Sequence, residues 1–460
     1  MALPEKFKER MKDILKDDYD SFIASFEDRS AVRALRVNTL KTDKDSFIKK
    51  AGLDLSPLSF TENGFIFNEE KVGGHPLHHA GAFYVQDPGA MCSVAAVSHY
   101  IRPHMRVLDL CAAPGGKSTQ IASLLKDGYL VSNEIDRSRC RILRSNLERM
   151  GVSRATLTNT DSEDIADSFG TVFDFVVVDA PCSGEGLMRK YDEAVEEWSE
   201  ENVKMCAERQ KEILDNAARC TSPDGYLLYS TCTFSLEENE MTVDAFLSRH
   251  PDFTIVPVSE SAVSVTADGI DFEGTRFDMK ECRRFYPHIS PGEGQFLCLM
   301  KKSADGEEYI PKKKKKDKGK SPSPALSKDD IRILEKFFGD NLTVEGDLVF
   351  SLMGDTVMLA EDLPTHKAAV FCGVPVGSIV KGRLEPHHHL FSAMGKQFKR
   401  QIKLESTSDD AIAYLQGQVI DAQCENGWCA VLIDGCPAGG GKVVDGKVKN
   451  HYPKGLRLIK

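Results

Sequence analysis

The chain has no uninterrupted apolar stretch approaching the ~20 residues that cross a bilayer, so nothing in it reads as a membrane span. Its first residues, MALPEKFKERMKDILKDD, carry charge throughout. That excludes the apolar core of a secretory signal and the acid-poor pattern of a transit peptide. A disulfide framework is missing too: 13 cysteines, an odd number, are scattered without regular spacing, which suits reduced thiols in a cytosol. Nor is there an excess of positive charge. The net charge is −11, unlike most nucleic-acid proteins, although a local basic patch rather than the average makes the electrostatic footprint. No internal repeat is visible. What remains is a cytoplasmic globular protein. Its 460 residues, 41% hydrophobic and 28% charged, suffice for two to four domains with cores of their own.

Phe7, Met11, Ile14, Leu15, Phe22 and Phe26 recur at helical spacing, so helices open the chain. The strand-like run RALRVNTLK (Arg33–Lys41) follows. From Met105 to about Lys302, short apolar runs alternate with amphipathic helical patterns. The expected strands are Arg106–Leu110, Tyr129–Ile135, Ala155–Thr160, Phe173–Asp179, Tyr226–Thr231, Phe253–Val258 and Gln295–Met300. Helices are expected at Lys117–Leu125, Arg137–Met150, Glu201–Cys220 and Leu236–Arg249. Such alternation predicts an α/β fold around a mostly parallel sheet. The last two runs lack a clear intervening helix, which predicts a late antiparallel edge strand. Lys301–Ser327, with its lysine run and Ser-Pro repeat, reads as a linker. Within it Lys312–Lys316 is either a solvated tether or a phosphate-attracting arm. Lys328–Lys460 holds short strand patterns and turns, expected as small α/β or β-rich modules.

RVLDLCAAPGGK (Arg106–Lys117) reads as a strand, a glycine-rich turn and the start of a helix. Pro114, Gly115 and Gly116 let the backbone approach a ligand and present N–H groups at a helix N-terminus. A phosphate-cradling P-loop would need glycine at position 111, which is Cys111, and the dinucleotide pattern G-x-G-x-x-G is absent. Glu134, ending the second strand, stands where a ribose diol is gripped in Rossmann-like folds. Asp161, ending the third, is placed to read an adenine amino group. An acid at one strand end is ordinarily a surface cap; acids at successive strand ends, in order, point to an adenosyl site without pyrophosphate. That favours S-adenosylmethionine as cofactor, with Cys111, Ala112, Ala113, Pro114, Gly115, Gly116 and Lys117 forming the turn that holds it.

Two further strand-like runs each end at a cysteine: FDFVVVDAPCSG (Phe173–Gly184) and YLLYSTCT (Tyr226–Thr233). A thiolate adding to carbon 6 of a pyrimidine makes carbon 5 nucleophilic enough to attack a methyl sulfonium, which is covalent catalysis. Cys182 and Cys232, on neighbouring strand ends, would face one target, with Asp179 at the base's N3/N4 edge. Burial as small hydrophobes is the bland alternative, and it is the reading for Cys92, Cys140, Cys206 and Cys220. The residues alone leave open which thiol attacks.

CAAPGGKSTQ, DAPCSGEGLMRK and STCTFSLEENE closely resemble the NOL/NOP/Sun-type RNA 5-methylcytosine methyltransferases, and RVNTLK and FYVQDPGAM resemble that family's N-terminal elements. The resemblance covers about residues 1–302. The tail VKNHYPKGLR is similar to the PUA-like module of the family's RsmF-type branch, which acts on small-subunit (16S) rRNA. The resemblance implies that Cys232 is the nucleophile, Cys182 assists release, Asp179 orients the cytosine, and Lys190 supports the site. It also implies a Rossmann-like class I methyltransferase sheet (101–303), an N-terminal α+β RNA-binding segment (1–100), a linker (304–327), a small C-terminal domain (328–383) and a PUA-like RNA-binding domain (384–460). One departure stands out: where that branch carries Gly-Trp, this chain reads Ala438-Gly439-Gly440-Gly441-Lys442, which questions the tail's RNA contact. The rival readings are a DNA cytosine-5 methyltransferase and a non-catalytic rRNA-binding assembly factor.

Chemistry on a ring carbon needs the base out of its stack. Arg33, Arg36 and Lys41 form one expected RNA-contacting segment. A second is Lys381, Arg383, Lys396, Lys399, Arg400 and Lys403, interleaved with Phe391 and Phe398 for stacking; a solvated amphipathic face is the alternative. His78-His79 and His387–His389 lack zinc spacing and read as surface or RNA-proximal, so no metal is expected. The partners are rRNA or the small ribosomal subunit, with the protein a monomer.

Overall fold

A computed structural model describes residues 2–27, 32–311, 326–360 and 362–459; the lysine run Lys312–Lys316 lies outside these. Ten of the described strands form one sheet, numbered here β1 (Arg106–Asp109), β2 (Tyr129–Asn133), β3 (Ala155–Thr158), β4 (Phe173–Asp179), β5 (Thr221–Thr231), β6 (Phe253–Ile255), β7 (Ala267–Asp268), β8 (Arg283–Phe285), β9 (Gln295–Lys302) and β10 (Ala369–Cys372). The spatial order is β7-β8-β9-β5-β4-β1-β2-β3-β10, with β6 also paired to β9. The five strands β1 to β5 run parallel, as the alternating pattern requires. β9 turns antiparallel against β5, so the late antiparallel strand is present but internal, with β8 and β7 continuing the sheet beyond it. β10 adds antiparallel to β3 at the opposite edge. It follows residue 326 in the chain, so the C-terminal region completes the central sheet.

Helices Gly116–Ala122, Arg137–Met150, Ser162–Phe169 and Glu200–Cys220 cover the sheet. Arg137–Met150 is capped by Asp136, whose carboxylate accepts from Arg139 N, and is closed by Gly151 at φ 74°. Two apolar clusters fill the sheet's two faces. One gathers Val107, Leu143, Phe175 and Leu299; the other gathers Leu108, Val176, Leu214 and Phe246. Strand order reverses between β1 and β4, and an open α/β sheet binds ligands at such a point, beyond its strands' C-terminal ends.

The opening helices Glu5–Leu15 and Tyr19–Glu27 bury Phe7, Met11, Phe22 and Phe26 against Trp198 and Phe234, beside the thiol loops. The next strands, Ala34–Val37, Leu55–Pro57, Gly64–Phe67 and Phe83–Val85, form a small antiparallel sheet. Its Leu35 and Phe83, with Phe47 of the helix Lys44–Ala51, share one core with Val431 of the C-terminal five-stranded sheet, Tyr414 of the helix Asp409–Leu415 and Tyr452. Among the described residues no helix is long and apolar enough to cross a membrane.

Candidate active site

β1 delivers Asp109 to the switch point, and the glycine turn follows. Gly115 sits at φ 110°, backbone that a side chain would strain, and an added Cβ would stand 3.0 Å from Leu143. Arg36 grips this turn from the N-terminal sheet: its guanidinium donates to Gly116 O (3.2 Å), Thr119 Oγ1 (2.8 Å) and Gln86 Oε1 (3.1 Å). Asp109 is fully buried, with one oxygen accepting from Ser118 Oγ at 2.6 Å. Burial pushes its pKa up to about 7. The other oxygen has no hydrogen-bond partner among the described residues.

Asp109, Cys111, Gly116, Lys117 and Asp179 line a small cavity of about 190 Å³ on one side of the turn. On the other side opens a cavity of about 760 Å³, lined by Cys111, Glu134, Asp161, Asp179, Cys182 and Cys232, with Arg139 and Arg209 at its walls. Its size is that of ligand pockets in general. The strand-end acids and both thiols expected from the sequence thus share one space. Glu134 is buried and accepts from Asp136 N at 2.9 Å, while Arg139 reaches it at 3.7 Å and Ala113 O at 2.8 Å. Asp161 combines both readings of a strand-end acid: it lines the cavity and caps Ser162–Phe169 through Asp164 N at 2.7 Å. Ala112 and Pro114 border the smaller cavity. The unpartnered Asp109 oxygen, the glycine turn and the acidic strand ends together fit a cofactor with an ammonium end, a ribose and a base.

Asp179 ends β4 with its carboxylate held on both oxygens. Buried Lys117 lies 2.8 Å from Oδ2; Ser230 Oγ donates to Oδ1 at 2.8 Å, and Gln295 Nε2 reaches the same oxygen at 3.4 Å. Cys182 and Cys232 are half-buried, and their sulfurs stand 3.1 Å apart. The hydrogen bond to Cys232, then burial, raises the Cys182 pKa well above that of an ordinary thiol. A thiol so placed keeps its proton. Cys111 is a third thiol in the cavity, but burial pushes its pKa up and makes it a poor nucleophile. Cys92, Cys140, Cys206 and Cys220 are buried, as expected.

The N-terminal basic segment needs correction. Only Arg33 is exposed; Arg36 and Lys41 are buried. Lys41 Nζ donates to Ala80 O, Arg149 O, Ser392 Oγ and Pro437 O at 2.7 to 2.9 Å, so it joins three parts of the chain rather than meeting RNA. In the second basic stretch Phe391 and Phe398 are core residues facing each other at 4.9 Å, unavailable for stacking. Its Lys381, Arg383, Lys396, Lys399 and Lys403 remain exposed, and Arg400 is half-exposed. His389 is fully buried, not a surface residue. Lys190 is ion-paired with Asp87 (3.5 Å) and Glu293 (3.3 Å). The tail's glycine run is a packing requirement, because a Cβ at Gly440 would lie 2.2 Å from the Phe391 ring and one at Gly439 2.5 Å from Tyr414 Oη. Sequence reasoning overlooked Gln295, Ser183, Thr233 and Glu238; Glu238 stood inside the STCTFSLEENE motif, but nothing local assigned it a partner.

Three family models match the chain. The model for 16S rRNA methyltransferase RsmB/F matches residues 99–301, that for the N-terminal domain of 16S rRNA methyltransferase RsmF matches 3–88, and that for the methyltransferase RsmF PUA domain matches 401–458. Ribosomal RNA small subunit methyltransferase F of Vibrio vulnificus is 32% identical, covering 99% of this chain and 97% of its own. The chain belongs to the RsmF family. Its relative of the same description in Shewanella baltica is 32% identical over 95% of this chain and 92% of that one. Among solved structures, a methyltransferase homologue from Pyrococcus horikoshii aligns with TM-score 0.57 at 26% identity, covering 65% of this chain and 95% of its own. The NSun6 structure from the same organism shares the fold, with TM-score 0.55 at 22% identity over 66% and 99%. Membership in the RsmF family bears out the resemblance drawn from the three motifs.

Proposed function

We propose that this chain uses S-adenosylmethionine to methylate carbon 5 of a cytidine in small-subunit rRNA, with Cys232 as nucleophile. The observation that carries the reading is the pair of thiols 3.1 Å apart, opening into the cavity that Glu134, Asp161 and Asp179 share. Family membership supports rRNA over duplex DNA as substrate and an enzyme over a passive assembly factor. Cys111–Lys117, Glu134 and Asp161 hold the cofactor in this reading. When bound, S-adenosylmethionine supplies a methyl on a sulfonium, whose carbon–sulfur bond breaks as carbon 5 of the base bonds to the methyl.

The Cys232 thiolate donates an electron pair to carbon 6, and N3 takes a proton from solvent as the ring electrons move to carbon 5. Asp179 accepts from the N3–H and N4–H of that ring, while Lys117 and Ser230 keep its carboxylate aimed. Once Cys232 is bonded to carbon 6, Cys182 no longer faces a thiolate. It gives its own proton to solvent and then takes the proton from carbon 5. The freed electron pair restores the ring double bond, the Cys232–carbon 6 bond breaks, and N3 returns its proton. We further propose the domain limits 1–100, 101–303, 304–327, 328–383 and 384–460, and a cytoplasmic monomer.

The test uses labelled cofactor and small-subunit rRNA. Cys232→Ala is expected to be inactive and to form no adduct. Cys182→Ala is expected to accumulate a covalent protein–RNA species that survives denaturation. The reverse pattern overturns the assignment.

A further inference from the structure

The residues that follow the two cysteines, Ser183 and Thr233, bring their hydroxyls 2.9 Å apart. Both loops therefore meet at their next residue as well as at the sulfurs. Beneath them lies Glu238, fully buried. Ser183 donates its N–H to one Glu238 oxygen at 2.9 Å and its hydroxyl to the other at 2.5 Å. Gln210, from the helix Glu200–Cys220, donates to the same carboxylate at 2.9 Å and to Pro181 O at 3.0 Å. The Pro181-Cys182-Ser183 loop is thus gripped on either side of the thiol. The next residue, Asn239, serves the other loop: it accepts from Thr231 Oγ1 at 2.6 Å and donates to Thr233 O at 3.0 Å.

We propose that Glu238 is the positioning residue of the thiol pair, holding Cys182 in reach of the base that Cys232 attacks. The inference rests on the thiol roles given above. A buried carboxylate with three donors is satisfied as an anion, and its charge next to Cys182 favours the protonated thiol. Burial raises Glu238 to about 7, so that anion is the form present above this pH. Other titratable groups around the pair are Asp179 at the end of β4, Glu185 in the turn after Cys182, Tyr229 on β5, and Cys206 and Arg209 of the Glu200–Cys220 helix. Cys182 acts in release, so Glu238 governs release rather than attack.

The experiment follows single-turnover methyl transfer and decay of the covalent protein–RNA species in the full chain, with small-subunit rRNA and labelled S-adenosylmethionine. Glu238→Ala leaves Cys182 unanchored; methyl transfer is expected to proceed while the adduct decays about 100-fold more slowly, the usual worth of a positioned proton acceptor. Glu238→Gln can still accept from Ser183 N and donate to Ser183 Oγ, so it should restore most of the release rate. Having lost the charge, it should also shift the pH dependence of release downward by about 0.5 unit or more, because a nearby anion raises a thiol's pKa. A merely structural residue would not move that profile. Wild-type decay in Glu238→Ala overturns the proposal, and so does equal loss of methyl transfer and adduct. If Glu238→Ala does not fold, an unshifted profile in Glu238→Gln overturns it instead. Failure of the wild-type chain to form any adduct would strike the thiol reading itself, a different outcome from these.

Discussion

Two buried lysines divide the molecule's uses of positive charge. Beside the glycine turn Lys117 meets one carboxylate, Asp179, at 2.8 Å. At the junction of the N-terminal, catalytic and C-terminal parts, Lys41 meets three carbonyls and a hydroxyl. The first arrangement leaves a charged acceptor aimed at an open cavity. The second spends every donor of the ammonium on neutral oxygens and closes the joint. A lysine in a sequence therefore says little by itself; the acceptors gathered around it decide between chemistry and architecture.

Lys41→Met separates the two uses most sharply. It strands several buried acceptors, each costing about 1–3 kcal/mol, so a stability loss of about 3 kcal/mol or more is expected in urea titration, with turnover per folded molecule retained. Lys117→Met should do the reverse, lowering methyl transfer about 100-fold through misorientation of Asp179 while the folded fraction stays near wild type. A melt shifted as far as that of Lys41→Met would erase the distinction. Gly440→Ala probes the junction by bulk instead of charge. Forcing a methyl against Phe391 should cost about 2 kcal/mol and leave adduct formation intact.

The mildest probe is pH. Asp109 titrates at about 7 when folded and near 3.9 when unfolded. Between those values the folded chain holds a proton that the unfolded chain lacks, so this group's contribution to stability falls as pH rises toward 7 and is level above it. Removing it in Asp109→Asn should make the slope of stability against pH between 5 and 7 more positive, by at most ~1.4 kcal/mol per unit. An unchanged slope would mean that Asp109 is ionised in the folded cavity.

Legibility in the sequence divides along the same line. β1 to β5 and the helix Arg137–Met150 follow from local apolar periodicity, and the acids at strand ends follow from the strands. The positions of Glu134, Asp161, Asp179 and both cysteines were readable because each lies at a strand's last residue or within three residues of it. Long-range matches were not. Nothing within Arg33–Lys41 reveals that Arg36 will clamp a glycine turn 80 positions away. Nothing within Ala369–Cys372 announces an edge strand for β3. The Phe391–Phe398 interleaving carried a surface signature, yet both rings are core, since amphipathic spacing identifies a stripe without saying what covers it.

The core shared by the first and last sheets sets an order in time. The core that holds Leu35 and Phe83 is complete only once Tyr414 and Val431 exist. Translation at roughly 5–20 residues per second leaves an interval on the order of tens of seconds between them. Throughout that interval the catalytic sheet can assemble β1 to β9 while the opening strands wait with their apolar faces uncovered. The opening sheet is therefore the part of the nascent chain left for chaperones and proteases, and residues made hundreds of positions later seal it.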